Sequence, residues 1–531
     1  ETPLCLGECC TMTKGRDHFS SRAKSRFLKL CLIINVIPFL LVVSALLIRA
    51  LSVREHDYLR DVNTDNTTLL PSTDARFNRL RDVLKFRTVS WTKGNSSTDE
   101  TLKMIDYIKM AFPTVHNSPY VEWEIIAEYS LLYRVKGSDE TRLPYMFSAH
   151  LDVVPANPDK WDYPPFNGEL VNDTYIYGRG TLDDKSAVMA ILEALEALLL
   201  RGHQPIRSFI VGFGHDEEVT GYYGARNIAK RLEDYGITRL DFVHDEGMFI
   251  TTDFLKGMEV PVAMVGVTEK GYAIFEVSVN GSSGHASVPP WETTIGILSA
   301  AISRLEVAQH PQMFMSGPLV DTLHEAAPYA KFFYRLLYSN LWFFGPLVGW
   351  MLSRNQVTDT LIRTSTAITQ FHAGIKNNVL PDRAIAYINH RIYPGQTVED
   401  IIRIDKELMA DARVDIKVIY GMDPHPIAEH QTDSKAYITI SKALHKIFGR
   451  LAVVPMLLVA NTDSVHYLKL TQNIYRFSPF MLELSDVSRI HGDNERITKK
   501  NYMEFVNYIY LLMINSESDV KIAAKKKKRD L

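Results

Sequence analysis

Cysteine is almost absent from this 531-residue chain, and where it sits excludes more than its rarity does. Its four copies, Cys5, Cys9, Cys10 and Cys31, all fall within the first 31 positions. The rest of the chain has no internal disulfide and no thiolate metal site, so any metal must be held by His, Asp and Glu. An excess of one charge sign is missing too. Against 62 Asp and Glu stand 59 Lys and Arg, a formal net charge of −3. That balance gives no reason to expect a nucleic-acid surface. A third absence is local: residues 30–48 carry no charge, while Lys14, Arg16, Arg22, Lys24, Arg26 and Lys29 precede them. A positive flank on an apolar run of about 20 residues predicts a signal anchor with its basic end in the cytosol.

A cleaved signal peptide is the alternative. Ala50-Leu51-Ser52 offers small residues for cleavage after Ser52, and a start at Met12 would shorten the basic flank towards that of a signal. Both readings make the chemistry secreted, extracellular or lumenal; the first adds a membrane anchor. N-x-S/T acceptors at Asn66, Asn95, Asn172 and Asn280 agree with such a compartment. The basic run at 525–529 reads as a solvated tail.

The length is too great for one ordinary core, and the pattern suggests this division. A basic segment (1–29) precedes the apolar segment (30–50) and a polar linker (53–72). A catalytic domain spans 73–267 and resumes at 424–515, and residues 516–531 form the tail. Strand-like runs at 124–133, 145–149, 208–213 and 241–243, with a helix near 184–200, predict an α/β domain with a mostly parallel sheet. Residues 268–423 read as β-α-β-β-α-β, a smaller open-faced sandwich inserted into the first domain. Within it, 309–360 is an apolar insertion the sandwich does not need, read either as a buried helix pair or as a wall for an apolar substrate or membrane.

The residues that carry chemistry stand where apolar runs end, which is where open α/β sheets build sites. They are His150 and Asp152 in HLDVVP, Asp183 in GRGTLDDK, Glu217 and Glu218 in GHDEEVTG, Asp245 in HDEG, and the distant His491 in RIHGDNE. His150 and Asp152 lie two apart on one strand face. Asp183 opens a helix, where it could bridge two cations or cap the helix, a task Asp184 could take instead. Adjacent carboxylates such as Glu217 and Glu218 repel unless a cation or a shared proton relieves them. His215, His244 and Glu246 read as supporting residues.

As a set, these stretches resemble the di-zinc aminoacylase/carboxypeptidase family, which includes glutamate carboxypeptidase, yeast carboxypeptidase S and aminoacylase. The resemblance runs from about residue 74 to 514. GHDEEVTGYYGA, SGHASVPP, NNVLP, HRIYPGQT, ANTDSVHY and RIHGDNERI, in that order, are most similar to the branch acting on N-fatty-acyl amino acids. The long basic N-terminus departs from that secreted branch and is compatible with an anchored form like carboxypeptidase S.

The resemblance implies a zinc-hydrolase domain with an inserted ferredoxin-like α+β lid, and two zinc ions per subunit. It assigns His150 and Asp245 to one zinc, Glu218 and His491 to the other, and Asp183 to both. Glu217 becomes the general base and Asp152 the carboxylate that orients His150. From the lid, His285 would reach the scissile carbonyl oxygen, often in a partner subunit's site, and Asn378 and Arg391 would grip the substrate carboxylate, a role Arg383 or Arg476 could also fill. The implied activity is reversible amide hydrolysis of N-fatty-acyl amino acids, with short-peptide carboxypeptidase activity as the alternative and a homodimer through the lid.

Overall fold

The computed structural model describes residues 21–59, 67–431 and 434–517, with side chains described from residue 36. Asn66, Cys5, Cys9, Cys10, residues 1–20 and the tail from 518 lie outside the described residues. Helix α1 (Ser21–Ser52) belongs to a first compact unit, Glu1–Val53. Val36–Leu59 is long and apolar enough to cross a membrane.

Among the described residues, the second unit, Arg54–Leu531, contains an eight-stranded and a four-stranded sheet besides three short ribbons. It opens with helices α2 (Asp74–Val83) and α3 (Thr98–Ala111). Strands β1 (Val121–Ile126), β2 (Ser130–Val135) and β3 (Tyr145–His150) follow, then helix α4 (Lys185–Leu200), β4 (Phe209–Gly214) and α5 (Ala225–Asp234). Strands β5 (Val243–Thr251) and β6 (Val262–Glu269) complete this part. After β7 (Gly271–Asn280) and α6 (Thr294–Val307) come three helices of the apolar insertion: α7 (Pro318–Ala326), α8 (Phe332–Tyr338) and α9 (Leu341–Leu352). The chain continues through β8 (Ser365–Ala373), β9 (Arg383–Ile392), α10 (Val398–Met409) and β10 (Val414–Met422). Helix α11 (Lys435–Phe448), β11 (Ala452–Leu458), β12 (Ile474–Met481) and α12 (Lys499–Asn515) return it to the first sheet.

The large sheet has eight strands in the order β11-β6-β12-β5-β3-β4-β2-β1. It is mixed, with four of its seven neighbouring pairings parallel. Only β4/β3, β3/β5, β5/β12 and β6/β11 pair in parallel; β1, β2 and β6/β12 are antiparallel. One cause is local. The run 124–133, expected as one strand, is a hairpin turning at Ala127 and Glu128, whose φ angles are 46° and 70°. Non-glycine residues seldom adopt that region, so apolar patterning carries no trace of such a turn.

Helix α4 is buried along nearly its whole length, as a continuous Ala/Leu/Met run dictates. Of its two sealed charged residues, Lys185 donates to the Phe86 carbonyl at 2.6 Å, and Glu193 is matched by Arg79 at 2.6 Å and Arg76 at 3.1 Å from α2. The smaller sheet, ordered β8-β9-β7-β10, is antiparallel throughout. Helices α6 and α10 pack on one of its faces around Phe275, Leu298, Ile388 and Ile401. Residues alternate between buried and partly exposed along β9, the period-two pattern of a sheet covered on one side. A Thr397–Asp400 capping box starts α10.

The insertion is divided between buried and exposed residues. Leu341, Gly345, Val348 and Gly349 are buried, while Phe332, Phe333, Trp342, Phe343 and Trp350 are exposed. Because α4 supports the sheet from beneath, Leu195→Ala should cost about 2–5 kcal/mol through the cavity it leaves. A lowered urea midpoint with unchanged slope would show this; an unchanged midpoint would contradict it.

Candidate metal centre

Three loops and two strands bring the acidic and imidazole groups together. His150 ends β3, and its Nδ1–H donates to the Asp152 carbonyl oxygen at 2.9 Å, which aims Nε2 outward. Nε2 lies 2.9 Å from Asp183 Oδ1 and 3.4 Å from Glu246 Oε1. The other Asp183 oxygen is 2.8 Å from His491 Nε2, and His491 is 3.1 Å from Glu218 Oε2. Asp183 thus belongs to two ligand groups, His150–Asp183–Glu246 and Asp183–Glu218–His491. Within each, one ligand atom per residue lies within 4.8 Å of the others.

Asp152 works from behind. Its Oδ1 accepts from the Glu217 N–H at 3.1 Å and its Oδ2 from the Glu218 N–H at 3.3 Å, so one carboxylate fixes the turn that presents both glutamates. Glu218 Oε1 also accepts from the Val154 N–H at 3.2 Å, which leaves Oε2 for the cluster.

Asp245, expected as a ligand, lies in neither candidate ligand group; Glu246 stands beside His150 and Asp183 instead. Successive strand residues face opposite sides, so only one of the pair can join His150. The pairing of β5 with β12 slips here: Arg476 faces Asp245 but the next residue, Phe477, faces Met248. This bulge, with Gly247 at φ 151°, turns Glu246 towards the cluster. A side chain at Gly247 would strike Arg476. Asp245 is instead sealed in, its Oδ1 accepting from the Glu246 N–H at 3.1 Å, and burial pushes its carboxyl up to about 6. A glycine inside an apolar strand was the available signal for the bulge.

Arg179 and Glu495, which carried no assigned role, hold the loops in place. Glu495 Oε1 accepts from the N–H groups of Leu182 at 2.6 Å and Asp183 at 3.2 Å, while Oε2 takes Arg179 Nη1 at 2.5 Å. Arg179 Nη2 then donates to the Gly492 carbonyl at 2.9 Å. The Asp183 loop and the His491 loop are therefore tied by one buried ion pair. Asp184 occupies the N-cap position of α4, but its side chain makes no capping hydrogen bond. His215 pairs with Ser130 and His244 with Tyr508, both away from the cluster.

The electrostatics call for positive charge. Burial, reinforced by Asp183, pushes Glu246 up to about 8, and burial with the charge of Glu246 holds Glu217 well above the usual carboxylate range. Hydrogen bonds to Asp183 and Glu218 raise His491 to about 10. Hard oxygens and imidazoles around one shared carboxylate fit divalent cations such as zinc, which would supply that charge in place of protons.

Of the expected substrate residues, Arg391 donates to Asn461 Oδ1 at 2.5 Å, and Asn461 lines the cavity at the cluster. His285 and Asn378 lie together at an exposed two-stranded ribbon, Gly284–His285 paired with Val379–Leu380, where the Ala286 N–H donates to the Asn378 carbonyl at 3.1 Å; neither lines that cavity. Arg383 is paired with Glu276, and Arg476 is sealed against Glu269 at 2.7 Å.

The geometry separates neighbouring carboxylates. Glu246→Ala should lower bound metal by about one equivalent per chain, and Asp245→Asn should leave it unchanged, by elemental analysis of dialysed protein. The opposite pattern would restore Asp245 as the ligand.

The model of Peptidase family M20/M25/M40 matches residues 146–515. The chain is 43% identical over 440 residues to the N-fatty-acyl-amino acid synthase/hydrolase PM20D1 of Xenopus tropicalis, covering 83% of this chain and 85% of that one. It is 41% identical to the probable carboxypeptidase S-like 2 of Dictyostelium discoideum, covering 83% and 84%. The solved M20 metallo-carboxypeptidase Sso-CP2 of Sulfolobus solfataricus shares the fold, with a TM-score of 0.59 at 17% identity over 83% of this chain and 99% of that one. The chain belongs to peptidase family M20/M25/M40.

Proposed function

We propose that this zinc-dependent hydrolase cleaves, and in reverse forms, the amide bond of N-fatty-acyl amino acids. One observation carries the substrate class. A cavity of about 590 Å³ opens directly onto Asp183, Glu217, Glu246 and His491. Its remaining wall is almost entirely apolar, including Met248, Phe254, Met264, Leu458, Phe480 and Leu482. Val357 and Thr360 bring the insertion to the same wall, next to Leu361. A peptide would leave its backbone amides unpaired against such a lining, whereas an acyl tail loses nothing there. The relatives named for N-fatty-acyl amino acids support this reading.

His150 and Glu246 would hold one zinc, Glu218 and His491 the other, and Asp183 both. Cations held there would supply Lewis acidity to the scissile carbonyl and to the attacking water. Among the described carboxylates that line the cavity, Glu217 alone lies outside both ligand groups. It lines the cavity beside them, placed to take the water's proton as the water attacks and to return it to the departing amine. Asp152 keeps Glu217 and His150 in register throughout. Arg391 lies at the polar rim with Asn461, where its planar fork suits the amino-acid carboxylate. The small sheet with its two helices acts as a ferredoxin-like lid. His285 and Asn378 are exposed on it, which fits a role across a homodimer rather than within one chain. The apolar helix at the N-terminus fits membrane attachment or secretion.

An N-acyl series from acetyl to oleoyl on one amino acid should show kcat/KM rising about three- to fourfold per methylene until the cavity is filled, from about 0.8 kcal/mol per buried CH2. A flat series, or preference for a blocked dipeptide, would favour the peptidase reading. Glu217→Gln should lower kcat by about 10²–10⁴ while leaving metal content unchanged.

A further inference from the structure

The core of the small sheet encloses a second convergence of imidazole and carboxylate, which shares no residue with the catalytic cluster. His310 follows α6, His390 lies on β9 and Asp405 on α10; their exposures are 1%, 0% and 0%. His310 Nε2 is 3.0 Å from Asp405 Oδ1, and His390 Nε2 is 2.9 Å from Asp405 Oδ2. One ligand atom from each of the three lies within 4.8 Å of the others.

The second contact is the informative one. His390 Nε2 and Asp405 Oδ2 are at hydrogen-bonding distance, yet both atoms are buried without a hydrogen-bond partner because they are not aligned for one. Two close, misaligned donor atoms are what ligands directed at a common third point look like. The other ring nitrogen of His390 is 3.1 Å from Thr366 Oγ1, the outer contact that fixes a ligating imidazole's orientation. On the far side of His310, Arg363 Nη1 donates to its backbone carbonyl at 2.8 Å and so holds the loop that presents it. Buried carboxylates are costly unless a cation or proton compensates them.

We infer that His310, His390 and Asp405 form a structural site for a divalent transition metal of the zinc type. Two neutral imidazoles and one carboxylate are a zinc donor set, with water completing the tetrahedron. The ligands come from a loop, a strand and a helix, so the ion would clamp α10 and the start of the apolar insertion onto β9. Metal here holds the lid's layers together and takes no part in the reaction.

The test counts metal in the full-length protein. Dialysed wild type should hold one zinc equivalent more than His310→Gln or His390→Gln, and chelation should lower the wild-type melting temperature but not that of a variant already lacking the ion. The same one-equivalent difference should persist in an Asp183→Ala background, which disables the catalytic centre and makes the result independent of that assignment. Cobalt(II) added to Asp183→Ala protein should give visible absorption that His310→Gln abolishes. If both histidine variants fail to fold, cobalt uptake by Asp183→Ala alone decides: the inference requires His-ligated cobalt, and no bound cobalt overturns it. Equal metal content in wild type and folded histidine variants overturns it too, leaving a proton shared among the three side chains.

Discussion

Everything catalytic in this fold depends on a single carboxylate being shared. Asp183 directs one oxygen to His150 and the other to His491, so it sets the distance between the two ligand groups. That position is not left to a flexible loop. Glu495 receives the backbone N–H groups on either side of the Leu182–Asp183 peptide, and Arg179 ties the same glutamate to the loop carrying His491. Breaking a buried pair of this kind leaves an uncompensated charge, at a cost of about 3–5 kcal/mol. Stability and ligand geometry are therefore carried by the same four groups.

The apolar cavity beside the cluster turns general amide chemistry into a choice of substrate. Its wall draws on the large sheet, on the loops that bear the ligands and on the insertion at Val357 and Thr360. Binding energy from a tail far from the reacting bond can then be spent on orienting that bond. The family relationship supplies the hydrolytic chemistry; the lining supplies the reason for a long acyl chain.

Much of this was legible in the sequence because the signals were chemical and local. His150, Asp183, Glu218 and His491 stand in polar motifs at the ends of apolar runs, and the structure brings all four together. The strand and helix alternation of the small sheet was readable from period two and period 3.6. What stayed hidden depended on register. Choosing between Asp245 and Glu246 required the bulge at Gly247, and dividing 124–133 into a hairpin required two non-glycine residues with positive φ. Arg179 and Glu495 lie 316 residues apart and have no meaning until the fold joins them. Asp184 followed its expected position but not its expected contact, because burial beside other carboxylates leaves it no donor to accept from.

The central claim is that one carboxylate joins two cations, and anomalous diffraction at the zinc edge tests it most directly. The account predicts two strong peaks roughly 3.5–4 Å apart, each within bonding distance of a different Asp183 oxygen. A single peak, or a pair with Asp183 bound to neither, would contradict it.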